Sequence, residues 1–351
     1  ISSGSGSVTL RGEEMAVTTS TKMGVLLGAN SSITTTSGVV TLNGKVDATN
    51  SDVANNHYGV WIGDNNANPA SVTTGSGAIN VFGDASGNSR QNRKGVIFYT
   101  ANVSSTSGDI TVEGRATNSS WCHDIVFLRE TVGSNTVSST SGAVLLKGSA
   151  TSSSSFSGIN NTISSDASVT LQLNNPAFNA LTSTSTLGGS GAKVIESPVG
   201  NASFGAAQTI SNISIASTST SLRIGRTTNT ANVTLNSSFT VAGPLGVYGG
   251  AVTQSSGVNL SSSGPMLLEA TAGDLSLGAN SIVSGASNSM TLKATANVTE
   301  STNVTHQTNG GNIIVWSDSD ATGGGYIAIR ASSVLSTDNG ANSRTSTTTG
   351  N

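Results

Sequence analysis

A single cysteine and five prolines in 351 residues leave this chain almost without covalent staples or rigid turns. Cys122 has no partner within the chain for a disulfide, so stability must come from packing and hydrogen bonds. Charged residues make up only 9%, far below the ~25% of ordinary globular chains. The balance of 15 basic to 18 acidic residues is formally −3 and no basic stripe appears. Both features argue against nucleic acid as a partner. No apolar run reaches the length of a spanning helix, so membrane insertion is not expected. No secretory signal is visible, and repeats begin almost at once after Ile1. The chain is therefore expected to be a segment of a longer protein, with export and anchoring signals elsewhere.

What fills the chain instead is Ser, Thr, Asn and 42 Gly, punctuated by Val, Ile and Leu. The apolar residues fall into a repeated unit, G-x-(I/V)-x-(L/V)-x-G, starting at Gly6, Gly38, Gly77, Gly108 and Gly142. Strict alternation makes each unit a strand with one apolar and one polar face. A second recurring piece is "MGVLL" at Met23, "YGVWI" at Tyr58, "KGVIF" at Lys94 and "HDIVF" at His123, with a weaker "SGIN" at Ser157. A third short strand centres on Ile33, Val72, Val103, Val137 and Ile163. Three strands per 31–39 residues suit one turn of a solenoid. The expected fold is all-β, a parallel β-helix with a loop-decorated first half. In this reading the bracketing glycines turn the chain at corners between faces.

Immunoglobulin-like sandwiches need ~100 residues per unit, and propeller blades carry four strands with aromatic signatures, so neither matches the repeat. After "NNPAFNALTSTSTLGGSGAKVIESPVG" the style changes, and strands come more densely. "LEATA" at Leu268 and "LKATA" at Leu292 lie 24 residues apart. Two regions are expected: 1–173 with loop-bearing turns, and 174–351 with shorter turns of about 20–25 residues. Twelve to fourteen turns would span on the order of 60–70 Å.

The stretch "TTSGVVTLNG…NNHYGVWIG…SVTTGSGAINVFG" resembles the β-strand repeats of filamentous-haemagglutinin-like bacterial surface proteins. "SLRIGRTTNTANVTLNSSFTVAGPLGVYGGAVTQ" and "GGNIIVWSDSDATGGGYIAI" are similar to giant cell-surface adhesins of Bacteroidota, the gliding-motility adhesin-like group. The resemblance implies a secreted, cell-surface filament, exported by a type IX route, that attaches a bacterium to surface glycans or abiotic surfaces. It also implies flanking repeats of the same polypeptide as neighbours. The motifs that carry it are scaffolding and specify no ligand.

Candidate chemistry is sparse, and no catalytic residue is assigned. A β-helical polysaccharide-active enzyme is the alternative, and it needs clustered carboxylates on one exposed face. The best-placed pair is Asp318 and Asp320, which would share a face if they lay on a strand and could then hold Ca²⁺ with loop carbonyls. The plainer reading is aspartates holding turn amides after the Ile313–Val315 strand. No other cofactor is expected. "WCHDIVF" sets Cys122, His123 and Asp124 in line, but neighbours on a strand face opposite ways, so a structural role is expected. Asp124 stands where other units have Gly24, Gly59 or Gly95. For glycan binding the candidates are Trp61 and Tyr58 as stacking rings, and Arg90 and Arg93 in the basic loop "SRQNRKG". A sheath or filament subunit assembling end to end is a third possibility. An ice-binding ladder is disfavoured because the Thr spacing looks irregular.

Overall fold

The computed structural model describes residues 1–14, 21–46, 56–64, 68–86, 92–116, 122–128, 134–149, 154–158, 161–176 and 184–338. Among these residues the regular structure is all strand, and no helix is long and apolar enough to cross a membrane. Each strand pairs in parallel with its counterpart one turn further on. The fold is a parallel β-helix, as the repeat implies. It divides into two compact units, Ile1–Gly191 with Glu196–Asn201, and Ala192–Ile195 with Ala202–Asn351.

In the first unit the Gly-bracketed strands form one face, starting with Val8–Glu14, Val40–Val46, Ile79–Ala85 and Ile110–Ala116. Their apolar positions stack in register: Val8, Val40, Ile79, Ile110, Val144 and Val169 form one column. Leu10, Leu42, Val81, Val112, Leu146 and Leu171 form the next. From Val40 onward these side chains are sealed from solvent. A second face carries the column Ile33, Val72, Val103, Val137, Ile163 and Leu187. The third face stacks Phe98 on Phe127, rings 4.8 Å apart and nearly parallel. Each such inward side chain contributes roughly 1.5–3 kcal/mol of burial.

The first glycine of a bracket, such as Gly38 or Gly77, sits at a corner between strands as expected, but the second does something else. Gly12, Gly44, Gly83 and Gly114 lie within strands, in register with one another. A Cβ on Gly44 would sit 2.0 Å from the carbonyl oxygen of Gly59 on the facing strand Asn56–Gly63. A Cβ on Gly59 would in turn meet the Asp84 amide at 2.4 Å, one turn on. The same contacts recur at Gly12 with Gly24 and at Gly83 with Gly95. Two sheets therefore pinch together backbone to backbone along a glycine zipper. The first glycine of each bracket is also a contact position: a Cβ on Gly77 would lie 2.0 Å from the Gly38 oxygen. A buried hydroxyl supports that corner in each turn. Thr35 Oγ1 donates to the Gly38 oxygen and Thr74 Oγ1 to the Gly77 oxygen, both at 2.6 Å, while Ser105 Oγ accepts from the Gly108 amide at 2.8 Å.

On the loop side of the pinch lies a lateral interior. Val46, Ala85 and Ala116 are buried there, and so is an in-register column of Lys22, His57 and Arg93, with Cys122 buried just before the next strand.

The second unit has three faces of shorter strands. Leu222, Leu245, Met266, Met290 and Ile313 stack at intervals of 21 to 24 residues. The "LEATA" and "LKATA" echoes are adjacent rungs, Leu268 beside Leu292.

Two glycines give opposite expectations. Gly44→Ala should destabilise the first unit by about 3 kcal/mol or more, because backbone rather than a side chain blocks the methyl. Gly246→Ala should fold normally, since its nearest neighbour is the Tyr248 ring at 3.5 Å. Urea titration of the two variants checks the pair, and equal stabilities would refute the pinch.

Candidate binding surface

A solenoid's inward columns are committed to packing, so any ligand chemistry must sit on outward columns or loops. The outward positions beside Ile33, Val72 and their counterparts carry hydroxyls, with an amide at Asn102. One column runs Ser2, Thr34, Thr73, Ser104, Ser138 and Ser164; the other runs Ser32, Ser71, Asn102, Thr136, Thr162 and Thr186. This ladder is more regular than the irregular Thr spacing suggests. Ser and Thr interchange in sequence, but their hydroxyls fall in the same columns.

Trp61 faces outward, opposite Val60 and Ile62, as alternation requires. Gly59 and Val60 both face inward, and this break in alternation puts Tyr58 on the same outward side three residues earlier. Tyr58 meets Trp61 edge-on at 5.0 Å, and Tyr99 lies 6.3 Å from Trp61. Lys94 Nζ stands 5.4 Å over the Tyr58 ring, and burial lowers its pKa to about 8. Asn92 Nδ2 donates to the Tyr58 hydroxyl at 3.4 Å, and burial raises that phenol's pKa. The two aromatics are thus brought together. Tyr58 is nearly sealed and Trp61 half-buried, so their rings pack on one another and on Ile97 rather than forming an open platform.

Arg93 requires a correction. It is fully buried in the lateral interior, with Nη1 donating to the Ala85 oxygen at 3.4 Å. It opens the strand Arg93–Tyr99 at an inward position, whereas the sequence reading placed it in a solvated loop. A sealed guanidinium cannot meet a glycan. Arg90 lies outside the described residues.

Asp318 and Asp320 also differ from the paired arrangement. The strand Ile313–Trp316 ends before them, and Asp318 has a left-handed backbone with φ 52°. Asp318 Oδ1 accepts from the Gly323 amide at 3.4 Å, and Asp320 accepts from the Thr322 amide at 3.3 Å and from its hydroxyl at 2.8 Å. They hold a turn. Among the described residues no three His, Cys, Asp or Glu side chains gather into one cluster.

Cys122 and Asp124 point inward and His123 outward, as alternation demands. Asp124 fits at a glycine position for a definite reason. In the next turn the strand Val144–Lys147 stops three residues short of its predecessor Ile110–Ala116, which leaves room for a side chain. The carboxylate fills that room, accepting from the amides of Ala116 at 2.9 Å and Ser149 at 2.8 Å and from the Ser149 hydroxyl at 3.0 Å. Burial pushes its pKa up to about 7, against the pull of those three donors.

A second buried acid, Glu300, lies 3.4 Å from His306 inside the second unit. Burial raises Glu300 to about 7 and lowers His306 to about 4. Both side chains are sealed from solvent, so neither can reach a substrate.

The second unit has one feature that the sequence reading passed over. On its outward face Val194, Arg223, Gly246, Leu267, Thr291 and Ile314 form a column in register. Gly246 leaves a gap in that column. The result is a groove of about 420 Å³ between Arg223 and Leu267, walled by Pro244, Pro265 and Tyr248. The usable signal was a glycine at an outward position within a strand, in "PLGVYGG", which marks close approach or free space.

Compared with protein-family models, with curated proteins and with solved structures, the chain matches none.

The elevated Asp124 pKa has a signed consequence. A carboxyl raised in the folded state contributes stability that is complete below its unfolded value near 3.8 and lost as pH rises through about 7. Asp124→Gly, restoring the residue of the earlier turns, should flatten this part of the stability profile between pH 4 and pH 7. Thermal unfolding of both proteins across that range reads the difference; parallel profiles would contradict the assignment.

Proposed function

We propose that the protein is a non-catalytic structural and adhesive module of a bacterial cell surface, a load-bearing β-helix whose outward columns attach to glycans or abiotic surfaces. The observation that carries the reading is the contrast between the two kinds of column. Inward columns are aliphatic, in register and sealed, so each turn repeats the same hydrogen bonds and core contacts as the last. Outward columns are ladders of hydroxyls and amides at strand spacing, ~4.8 Å apart, which offer many equivalent weak contacts. Such a surface suits multivalent attachment, because many weak contacts held on one stiff scaffold give avidity without any strong site.

The resemblance to gliding-motility adhesins and filamentous-haemagglutinin-like repeats supplies the cellular setting: export by a type IX route, flanking repeats of the same polypeptide, and a place at the extracellular face. The same resemblance favours attachment over polysaccharide cleavage.

Polystyrene beads coated with the purified chain should resist detachment by flow from glass and from polysaccharide films better than albumin-coated beads. Bead retention equal to the albumin control would overturn the adhesive reading. Release of reducing ends from those polysaccharides would overturn its non-catalytic part.

A further inference from the structure

The groove at Gly246 has the dimensions and lining of a ligand site, and nothing else in the fold requires it. Its volume of about 420 Å³ lies within the ~300–1,000 Å³ of small-molecule sites. A partner protein, by contrast, needs a face burying about 1,000 Å² or more. The floor is backbone at Gly246. One wall is the Tyr248 ring, which lies on the same outward face two residues along. The opposite side is aliphatic, from Leu267 and the two prolines. Hydroxyls of Ser221, Ser289 and Thr291 edge it. Among the described residues the only charged one lining it is Arg223, whose Nη1 donates to the Gly225 oxygen at 2.9 Å, which braces the guanidinium beside the groove.

Each part selects the same kind of occupant. A pyranose ring has apolar C–H faces, which pack on an aromatic ring and on aliphatic walls, and a polar rim, which needs hydroxyl partners. The guanidinium fork matches a carboxylate. Among the described residues no carboxylate lines the groove to repel an anion. The column continues past Thr291 to Ile314, which is 46% exposed, and on the same face Trp316 is 48% exposed beneath Lys293. From Arg223 to Ile314 the track crosses four strand spacings, about 19 Å, enough for a linear chain of several sugars.

We propose that this groove binds acidic polysaccharide, with a uronic-acid carboxylate on Arg223 and the adjoining sugar face on Tyr248 over Gly246. This deepens the adhesive reading and rests on it, because it assigns one outward column of the second unit a definite ligand class.

The test uses the full chain and short oligogalacturonates, with neutral dextran oligosaccharides as the comparison, followed by isothermal titration calorimetry. Oligogalacturonate should bind, dextran should bind more weakly, and added salt should weaken the first more than the second. Gly246→Val fills the notch at a position where a side chain meets only the Tyr248 ring, so it should melt like the parent yet lose at least about tenfold in affinity. Tyr248→Ala should lose a similar factor, and Arg223→Gln should abolish both the salt dependence and the preference for the acid. Oligogalacturonate affinity unchanged in all three variants, or no binding by the parent, would overturn the proposal. So would a concentration-dependent dimer that Gly246→Val dissolves, since the occupant would then be a second copy. If the variants lose oligogalacturonate but their beads still hold to glass, the groove assignment stands. If they bind oligogalacturonate like the parent while beads still adhere, this inference fails and the adhesive reading survives.

Discussion

Parallel, in-register stacking is the constraint from which most of this molecule follows. Each residue sits beside its counterpart in the next turn, ~4.8 Å away. Whatever occupies a position is therefore repeated along a column, and the column must tolerate its own kind. Aliphatic residues do, and so do stacked phenyl rings such as Phe98 and Phe127. Hydroxyls do as well. Like charges on adjacent strands repel, and in the buried column His57 separates Lys22 from Arg93. The low charge content is thus a property of the architecture. Where charges stack on the outer face they alternate in sign: Glu13, Lys45, Asp84 and Arg115 succeed one another in register, with Lys45 3.2 Å from Glu13. In the second unit Glu269 and Lys293 pair at 2.6 Å in the same way. These exposed pairs add little stability of their own. Their effect is to make a one-rung slip unfavourable.

The same constraint explains what was legible beforehand. Period-two alternation within a strand and a repeat of three strands per unit are local signals, and they give the fold and the inward columns, Val40, Leu42, Ile79 and Val81 among them. The role of the glycines was not legible. A glycine in a bracket looks like a corner, but Gly44 is mid-strand, and only the position of Gly59 on a facing strand shows that backbone contact requires it. Arg93 was missed for a related reason. Its neighbours in sequence are polar, while its burial is set by the pinch, which creates an interior on the loop side that no single repeat announces. Asp318 and Asp320 lie beyond the strand that ends at Trp316 and hold turn amides, the plainer of the two roles their sequence offered.

Asp124 shows how a departure in one column is matched by a departure in the next. Three turns have glycine at this position because a strand crosses directly above. In the fourth, that strand ends at Lys147, and the vacated space takes a carboxylate satisfied by Ser149. Either change alone has a cost: a longer strand would collide with the side chain, and a glycine would leave the Ser149 amide without this acceptor. The odd residue in the repeat therefore marks a coupled change of coil geometry, with no catalytic role needed to account for it.

Glycine at an inward and at an outward position then carries opposite meanings, and the difference locates function on a solenoid. Inward, at Gly44, the missing side chain is occupied by another backbone and nothing more can enter. Outward, at Gly246, the missing side chain leaves space, because the neighbouring rungs Arg223 and Leu267 keep theirs. A ladder of identical residues presents a uniform face suited to many weak contacts. A break in the ladder creates a concave site whose walls are the residues on either side of the break. In this coil the break is bordered by a phenol, aliphatic walls and a guanidinium, a combination suited to a ligand with both an apolar face and a negative charge. On the proposed adhesive reading, a surface of many weak contacts thereby gains a position able to discriminate.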